Sequence, residues 1–236
     1  MAGDVAATDN VKLKAAPKVK AKKRFAKGMN FYKLFWVFFI GCFLGVVIET
    51  VFVFVTTGKL MNRTGLVYGP FNLVYGFGAL IMTICLHRLK GKSDRYIFLA
   101  GGAIGGAYEY ACSWLQETFT GTVSWDYSEM KFNLGGRVNL LYCIFWGVLA
   151  VFWVKEIYPR LSDWIETHVP YKAGVPLTWV LVAFMLFNMA MSGLAVYRMS
   201  MRYEGAPATN AVEVFLDDHF DDARMHRIYP SMQHKK

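Results

Sequence analysis

Gly41, Gly45 and Glu49 stand four residues apart in an apolar stretch with no other charge between Lys33 and Lys59. Sixty residues on, Gly101, Gly105 and Glu109 repeat that spacing in a second apolar stretch. A step of four residues returns to roughly the same face of a helix. Each segment therefore presents two glycines, where a second helix can come close, and one carboxylate on the same seam. A lone Glu in hydrocarbon costs several kcal/mol unless it is neutral, paired or wet. Two in matched positions point to a duplicated unit with a polar centre.

The remaining composition sets this pattern in a membrane. Of 236 residues, 55% are hydrophobic and only 18% charged, and the mean hydropathy is +0.30, too apolar for a soluble domain of this size. The net charge of +9 is concentrated at the start, where residues 1–33 hold nine Lys or Arg against Asp4 and Asp9. A basic arm abutting a hydrophobic span reads as a cytoplasmic flank touching anionic lipid rather than as a nucleic-acid site. The first 30 residues lack the form of a cleavable signal peptide, so the run that follows is expected to be an uncleaved first helix. The four cysteines, Cys42, Cys85, Cys112 and Cys143, fall one per apolar segment with no Cys-x-x-Cys, which reads as packing rather than as a disulfide or metal framework. No metal site and no cofactor are expected.

Taken in order, residues 1–30 form a basic flexible cytoplasmic arm. Residues 31–158 form a four-helix membrane core, with a first repeat over 31–87 and a second over 95–158. An interfacial segment follows over 159–174, a fifth transmembrane helix over 175–197, and a polar tail over 198–236. The class is an all-α polytopic membrane protein with about five spans, the first four arranged as two parallel helix-pair repeats. Span two begins at Tyr68-Gly69-Pro70-Phe71-Asn72, an irregular entry that membrane depth tolerates only when protein buries it or water lines it. Lys and Arg number sixteen on the side of the N-terminus and four in the two opposite loops, which places the N-terminus in the cytoplasm of a plasma-membrane protein. Five spans put the tail on the other side. Gly91-Lys92-Ser93 resembles the end of a phosphate loop, but Leu86 occupies the required glycine position and no strand precedes it.

Asn72-Leu73-Val74-Tyr75 and Asn139-Leu140-Leu141-Tyr142 open the second helix of each repeat. Arg63 and Arg137 lie just before them, and the spacing predicts that they pair with Glu49 and Glu109. The loop Trp125-Asp126-Tyr127 is either an interfacial aromatic belt or a flap over the mouth, with Asp126 binding Arg137 or a ligand. The candidate binding residues are therefore Glu49, Glu109, Arg63, Arg137, Asp126, Asn72, Asn139, Tyr68, Tyr75, Tyr142, Trp125 and Tyr127, with Gly41, Gly45, Gly101 and Gly105 for packing. No catalytic residue is assigned.

The Gly-rich Glu helix, Arg63-Thr64-Gly65-Leu66-Val67-Tyr68-Gly69-Pro70, Tyr75-Gly76-Phe77-Gly78, Glu109-Tyr110, Ser113-Trp114, Trp125-Asp126-Tyr127-Ser128, Asn133-Leu134, Arg137 and Trp146-Gly147 together resemble the CmpB-type ABC-transporter permease family. These are bacterial multi-pass proteins with animal transmembrane relatives. The resemblance covers roughly residues 34–160, and Ile228-Tyr229-Pro230 in the tail extends it to bacterial members. It implies a permease-like transport component. The chain carries no ATPase motif, so an ATP-driven role requires a separate ATPase or other subunit, and a homo-oligomer stays open. Two other functions compete: an integral membrane enzyme acting on lipid through its carboxylates, and a membrane scaffold. No histidine (87, 168, 219, 226, 234) falls at a span centre, which disfavours a haem site held by two histidines.

Overall fold

The computed structural model describes residues 24–234; most of the basic arm lies outside them. The protein is an all-α membrane protein. Among the described residues, three helical rods, Phe31–Thr57, Leu140–His168 and Tyr171–Tyr203, are long and apolar enough to cross a membrane, and Leu73–Leu89 is a shorter apolar helix.

Helices α1 (Phe31–Thr57) and α3 (Asp94–Thr120) have 27 residues each, roughly 40 Å of rise. Both end on a glycine in the left-handed region, Gly58 at φ 69° and Gly121 at φ 63°, where a side chain would be strained. Helices α2 (Leu73–Leu86) and α4 (Leu140–Phe152) run back along them. Each returning helix is capped by the asparagine before it. The Asn72 carboxamide accepts from the Val74 N–H at 3.0 Å, and that of Asn139 from Leu141 at 2.8 Å. Each amide nitrogen also holds the preceding loop, Asn72 through the Arg63 carbonyl at 3.1 Å and Asn139 through that of Lys131 at 2.6 Å.

Helix α4 passes through a π-helical turn, Trp153–Ile157, into α5 (Tyr158–His168). Pro159 has no N–H for the Lys155 carbonyl, and the widened turn lets the rod continue across that defect. The α5 segment packs against the start of α1. There Lys33, fully buried, donates to Glu166 at 2.8 Å and to the Ser162 carbonyl at 3.0 Å. Helix α6 (Tyr171–Tyr203) begins at this basic end, where Trp36 donates to Thr178 at 2.9 Å. It finishes at the opposite, loop end, where the Ser200 hydroxyl donates to the Thr120 carbonyl at 2.7 Å.

The irregular entry before α2 is held by two side chains of α6. Asn188 accepts from the Tyr68 N–H at 3.1 Å and donates to the Tyr68 carbonyl at 2.7 Å, and Ser192 accepts from Val67 at 2.9 Å. Both are buried, so protein supplies the backbone partners that lipid cannot.

The tail also folds at the loop end. Helices α7 (Ala211–His219) and α8 (Asp222–Ile228) dock on α6 through Arg198, which is buried and grips both Asp217 oxygens at 2.9 and 2.7 Å. The final strand Gln233–His234 pairs antiparallel with Thr122–Val123, immediately after α3. A second short ladder, Asn133–Leu134 with Val138–Asn139, shapes the loop before α4.

Candidate functional site

The repeated glycines are where the helices of each pair touch. A Cβ on Gly41 would lie 3.3 Å from the Tyr75 carbonyl oxygen, and one on Gly101 would lie 3.5 Å from that of Trp146. From the opposite helices, a Cβ on Gly76 would meet the Phe38 carbonyl oxygen at 2.9 Å and one on Gly147 that of Phe98 at 2.7 Å. Gly45 lies under the Tyr75 ring and Gly105 under the Trp146 ring. The counterpart of Tyr75-Gly76-Phe77-Gly78-Ala79 is therefore Trp146-Gly147-Val148-Leu149-Ala150, an aromatic-Gly-x-x-Ala echo. Trp146 follows Tyr75 by 71 positions, whereas Asn139 follows Asn72 by 67. The difference is four residues, about one turn. Helix α4 thus starts a turn earlier, and Tyr142 is not the packing equivalent of Tyr75.

These aromatic rings bring polar handles to the two glutamates. Tyr75 presents its phenol to Glu49, and the Trp146 indole donates to Oε2 of Glu109 at 3.2 Å. Glu49 also pairs with Arg63, whose Nε donates to Oε1 at 2.8 Å. The second repeat differs here. Arg137 bonds and pairs with Glu117 rather than Glu109. The reason is axial position: Glu117 lies two turns beyond Glu109 on the same face, close to the helix end and level with the loop that carries Arg137. The place an arginine would take at Glu109 belongs to Tyr127, whose hydroxyl donates to Oε1 at 2.8 Å. Burial, then the Glu109 carboxylate, pushes the Tyr127 phenol well above its ordinary range.

Both glutamates face one cavity of about 860 Å³ at the loop end. Of the candidate residues, Glu49, Arg63, Asn72, Tyr75, Glu109, Trp125, Tyr127 and Tyr142 line it. The other four stand off its wall in structural positions. Asn139 caps α4, and Tyr68 is clasped by Asn188 and stacks on Phe187. Asp126 closes a turn by accepting from the Ser128 N–H at 2.8 Å and hydroxyl at 2.5 Å. Arg137 is engaged by Glu117. Trp125 and Tyr127 of this loop are fixed on the cavity wall: the Trp125 indole donates to the Arg137 carbonyl at 3.0 Å, and Tyr127 stacks on Tyr142 with centroids 4.5 Å apart.

Sequence reasoning left out Trp146, Tyr108, Cys112 and Gln116, all on the wall, and two contributions from far along the chain. Ser192 and Met189 close it from α6, and Tyr229, Pro230, Ser231 and Met232 roof it from the tail, with Ser231 accepting from Arg63. The aromatic-Gly-x-x-Ala echo could have found Trp146. The resemblance noted at Ile228-Tyr229-Pro230 touches the roof, but no local pattern places the tail residues against the cavity.

A family model described as "Putative ABC-transporter type IV" (ABC_trans_CmpB) matches residues 36–193. No curated protein and no solved structure matches the chain. The matched span runs from early α1 into α6 and holds most of the cavity wall, leaving Val196 and the tail roof beyond it. The chain belongs to the ABC-transporter type IV (CmpB) family.

Proposed function

We propose that this protein is a permease-like transport component of the plasma membrane whose loop-end cavity binds or passes a small polar or amphiphilic solute. The observation that carries this reading is the opening of Glu49 and Glu109, one from each repeat, into a single cavity. Parallel-repeat transporters place their sites at such an interface, and ionisable side chains kept inside a membrane generally mark a path. Buried pairs seldom add stability over apolar packing, and a buried carboxyl without a counter-ion costs stability, so a purely structural role accounts poorly for either glutamate. The wall mixes a few convergent polar groups with many aromatic rings, as small-molecule sites do. The cationic end, with Lys and Arg in the α2–α3 link, faces the cytoplasm on the positive-inside rule. That end is where a separate ATPase subunit would dock.

Native mass spectrometry of the protein extracted in mild detergent tests the proposal. A copurifying small molecule is expected in the parent chain and is lost in Glu49→Gln and Glu109→Gln variants that retain folding and expression. If both variants keep the same adduct, the carboxylates do not form a solute site.

A further inference from the structure

Building on the reading of the cavity as a solute site, we infer that its occupant is an organic cation with an apolar body, an alkylammonium or quaternary ammonium group seated against Glu109. The charged residues on the wall are Glu49, Arg63 and Glu109. Glu49 and Arg63 neutralise each other. Glu109 is 6% exposed, and among the described residues no lysine or arginine lies within ion-pair distance of it. Its two partners are neutral donors, Tyr127 and Trp146. The indole can only donate, and with the Tyr127 hydroxyl donating to the other oxygen both carboxyl oxygens act as acceptors, an arrangement compatible with the ionised form that a cation would favour. A carboxyl withdrawn from water and lacking a counter-ion is costly to ionise, and a cationic guest offsets that cost.

The walls agree with that sign. Tyr75, Tyr127, Tyr142, Phe145 and Trp146 surround the carboxylate side. Tyr127 and Tyr142 are stacked at 20°, and Tyr142 meets Phe145 edge-on at 5.8 Å. Aromatic faces attract ammonium groups, and quaternary ammonium recognition typically combines such faces. An anionic guest would find Arg63 already occupied by Glu49 and Ser231. The remaining wall, including Phe52, Leu115 and Leu149, takes an apolar body.

Three probes with the same hexyl tail separate charge from tail: hexyltrimethylammonium, 1-hexanol and hexanesulfonate, each titrated into the full-length protein in lipid nanodiscs with tryptophan fluorescence as readout. The cation is expected to bind at least about tenfold more tightly than the alcohol, the difference that one desolvated ion pair or cation–aromatic contact supplies, and the sulfonate most weakly. Glu109→Gln should remove that preference while leaving hexanol binding unchanged, which also reports that the variant is folded. If that variant does not fold, the comparison of the three probes on the parent chain decides. Equal binding of cation and alcohol overturns the charge assignment but leaves the cavity as a solute site. Undiminished cation preference in folded Glu109→Gln places the cation elsewhere and overturns the inference. Binding of none of the three overturns both the inference and the reading beneath it.

Discussion

The Trp146 indole both covers Gly105 and donates to Glu109, so one side chain closes the helix seam and satisfies the carboxylate beside it. Tyr75 does the same over Gly45 toward Glu49. The glycine makes the room, the ring fills it, and its polar edge reaches one turn along the opposite helix. Trp146→Phe should separate these roles. It keeps the packing and removes the donor, and the expected loss is about 1 kcal/mol of stability. Trp146→Ala removes the ring as well and should cost about 3–5 kcal/mol. Thermal unfolding in one detergent, compared across the two variants, checks the ordering. Equal losses would mean that the ring adds nothing beyond its N–H, and no loss in Trp146→Phe would mean that the indole N–H contributes nothing.

The glycine seam makes a sharper prediction. A methyl group at Gly105 would fall within the Trp146 ring, and one at Gly45 within the Tyr75 ring. Both partners belong to packed helices and cannot move freely, so Gly105→Ala and Gly45→Ala should each destabilise by about 1–3 kcal/mol. Gly193 in α6 supplies the control, because nothing lies within 4 Å of its added Cβ. There, alanine should be neutral or gain about 0.5–1 kcal/mol through helix propensity. If Gly193→Ala proves as harmful as the seam variants, close approach is not what the seam glycines provide.

The long apolar helices and the shared faces of Gly41 with Gly45 and of Gly101 with Gly105 were legible in the sequence because each is written locally, in apolar length and in a four-residue step, whereas the polar helices α7 and α8 of the tail were not. The Glu49–Arg63 pair was legible for a similar reason, since only fourteen residues separate the partners. Glu109 was misjudged because the loop of the second repeat is longer. Its arginine is set level with Glu117, and a tyrosine fills the vacated place. The register of α4 was hidden by two competing echoes. Asn-Leu-x-Tyr marks the cap, which depends on the loop, whereas aromatic-Gly-x-x-Ala marks the contact, which depends on the seam. Asn188, Ser192 and Ser231 act on segments more than 110 residues away, and no local pattern announces such contacts.

Acidification should loosen the tail in two stages. His234 stacks on Tyr203 with centroids 4.0 Å apart. Burial, followed by the nearby His226, holds its pKa below the ordinary 6.5, against weaker opposing pulls from Asp222 and Glu204. A base with a depressed folded value stabilises the fold above its unfolded value, and that contribution is lost as pH falls below 6.5 through the folded one. Asp217 lies lower: hydrogen bonds from Arg198 first, and then Arg202, hold its carboxyl below the ordinary 3.8. Its contribution is complete above 3.8 and disappears only as pH falls through the folded value. Hydrogen exchange between pH 7 and pH 4 should therefore open the terminal strand while α7 and α8 stay protected. Asp217→Asn should release the helices at neutral pH. Simultaneous loss of strand and helices near pH 6 in the parent chain would contradict the assignment.

The tail's position predicts who can reach the cavity. Tyr229, Pro230, Ser231 and Met232 lie on its wall, Ser231 is tied to Arg63, and the strand after them is paired to the segment following α3. Those attachments are few and close to the chain end, so they open more readily than the helix pairs below. Cys112 lines the same cavity and reports its access, while Cys42 is fully buried against Gly76 and serves as an internal reference. In a Cys85→Ala/Cys143→Ala background, truncation after Glu204 should raise the rate at which a charged maleimide labels Cys112 by about tenfold, equivalent to removing ~1.4 kcal/mol of closure. Cys42 labelling should stay flat, which distinguishes an opened roof from an unfolded bundle. If the Cys112 rate is the same with and without the tail, solute reaches the cavity by another route, between the helices rather than past residues 229–232.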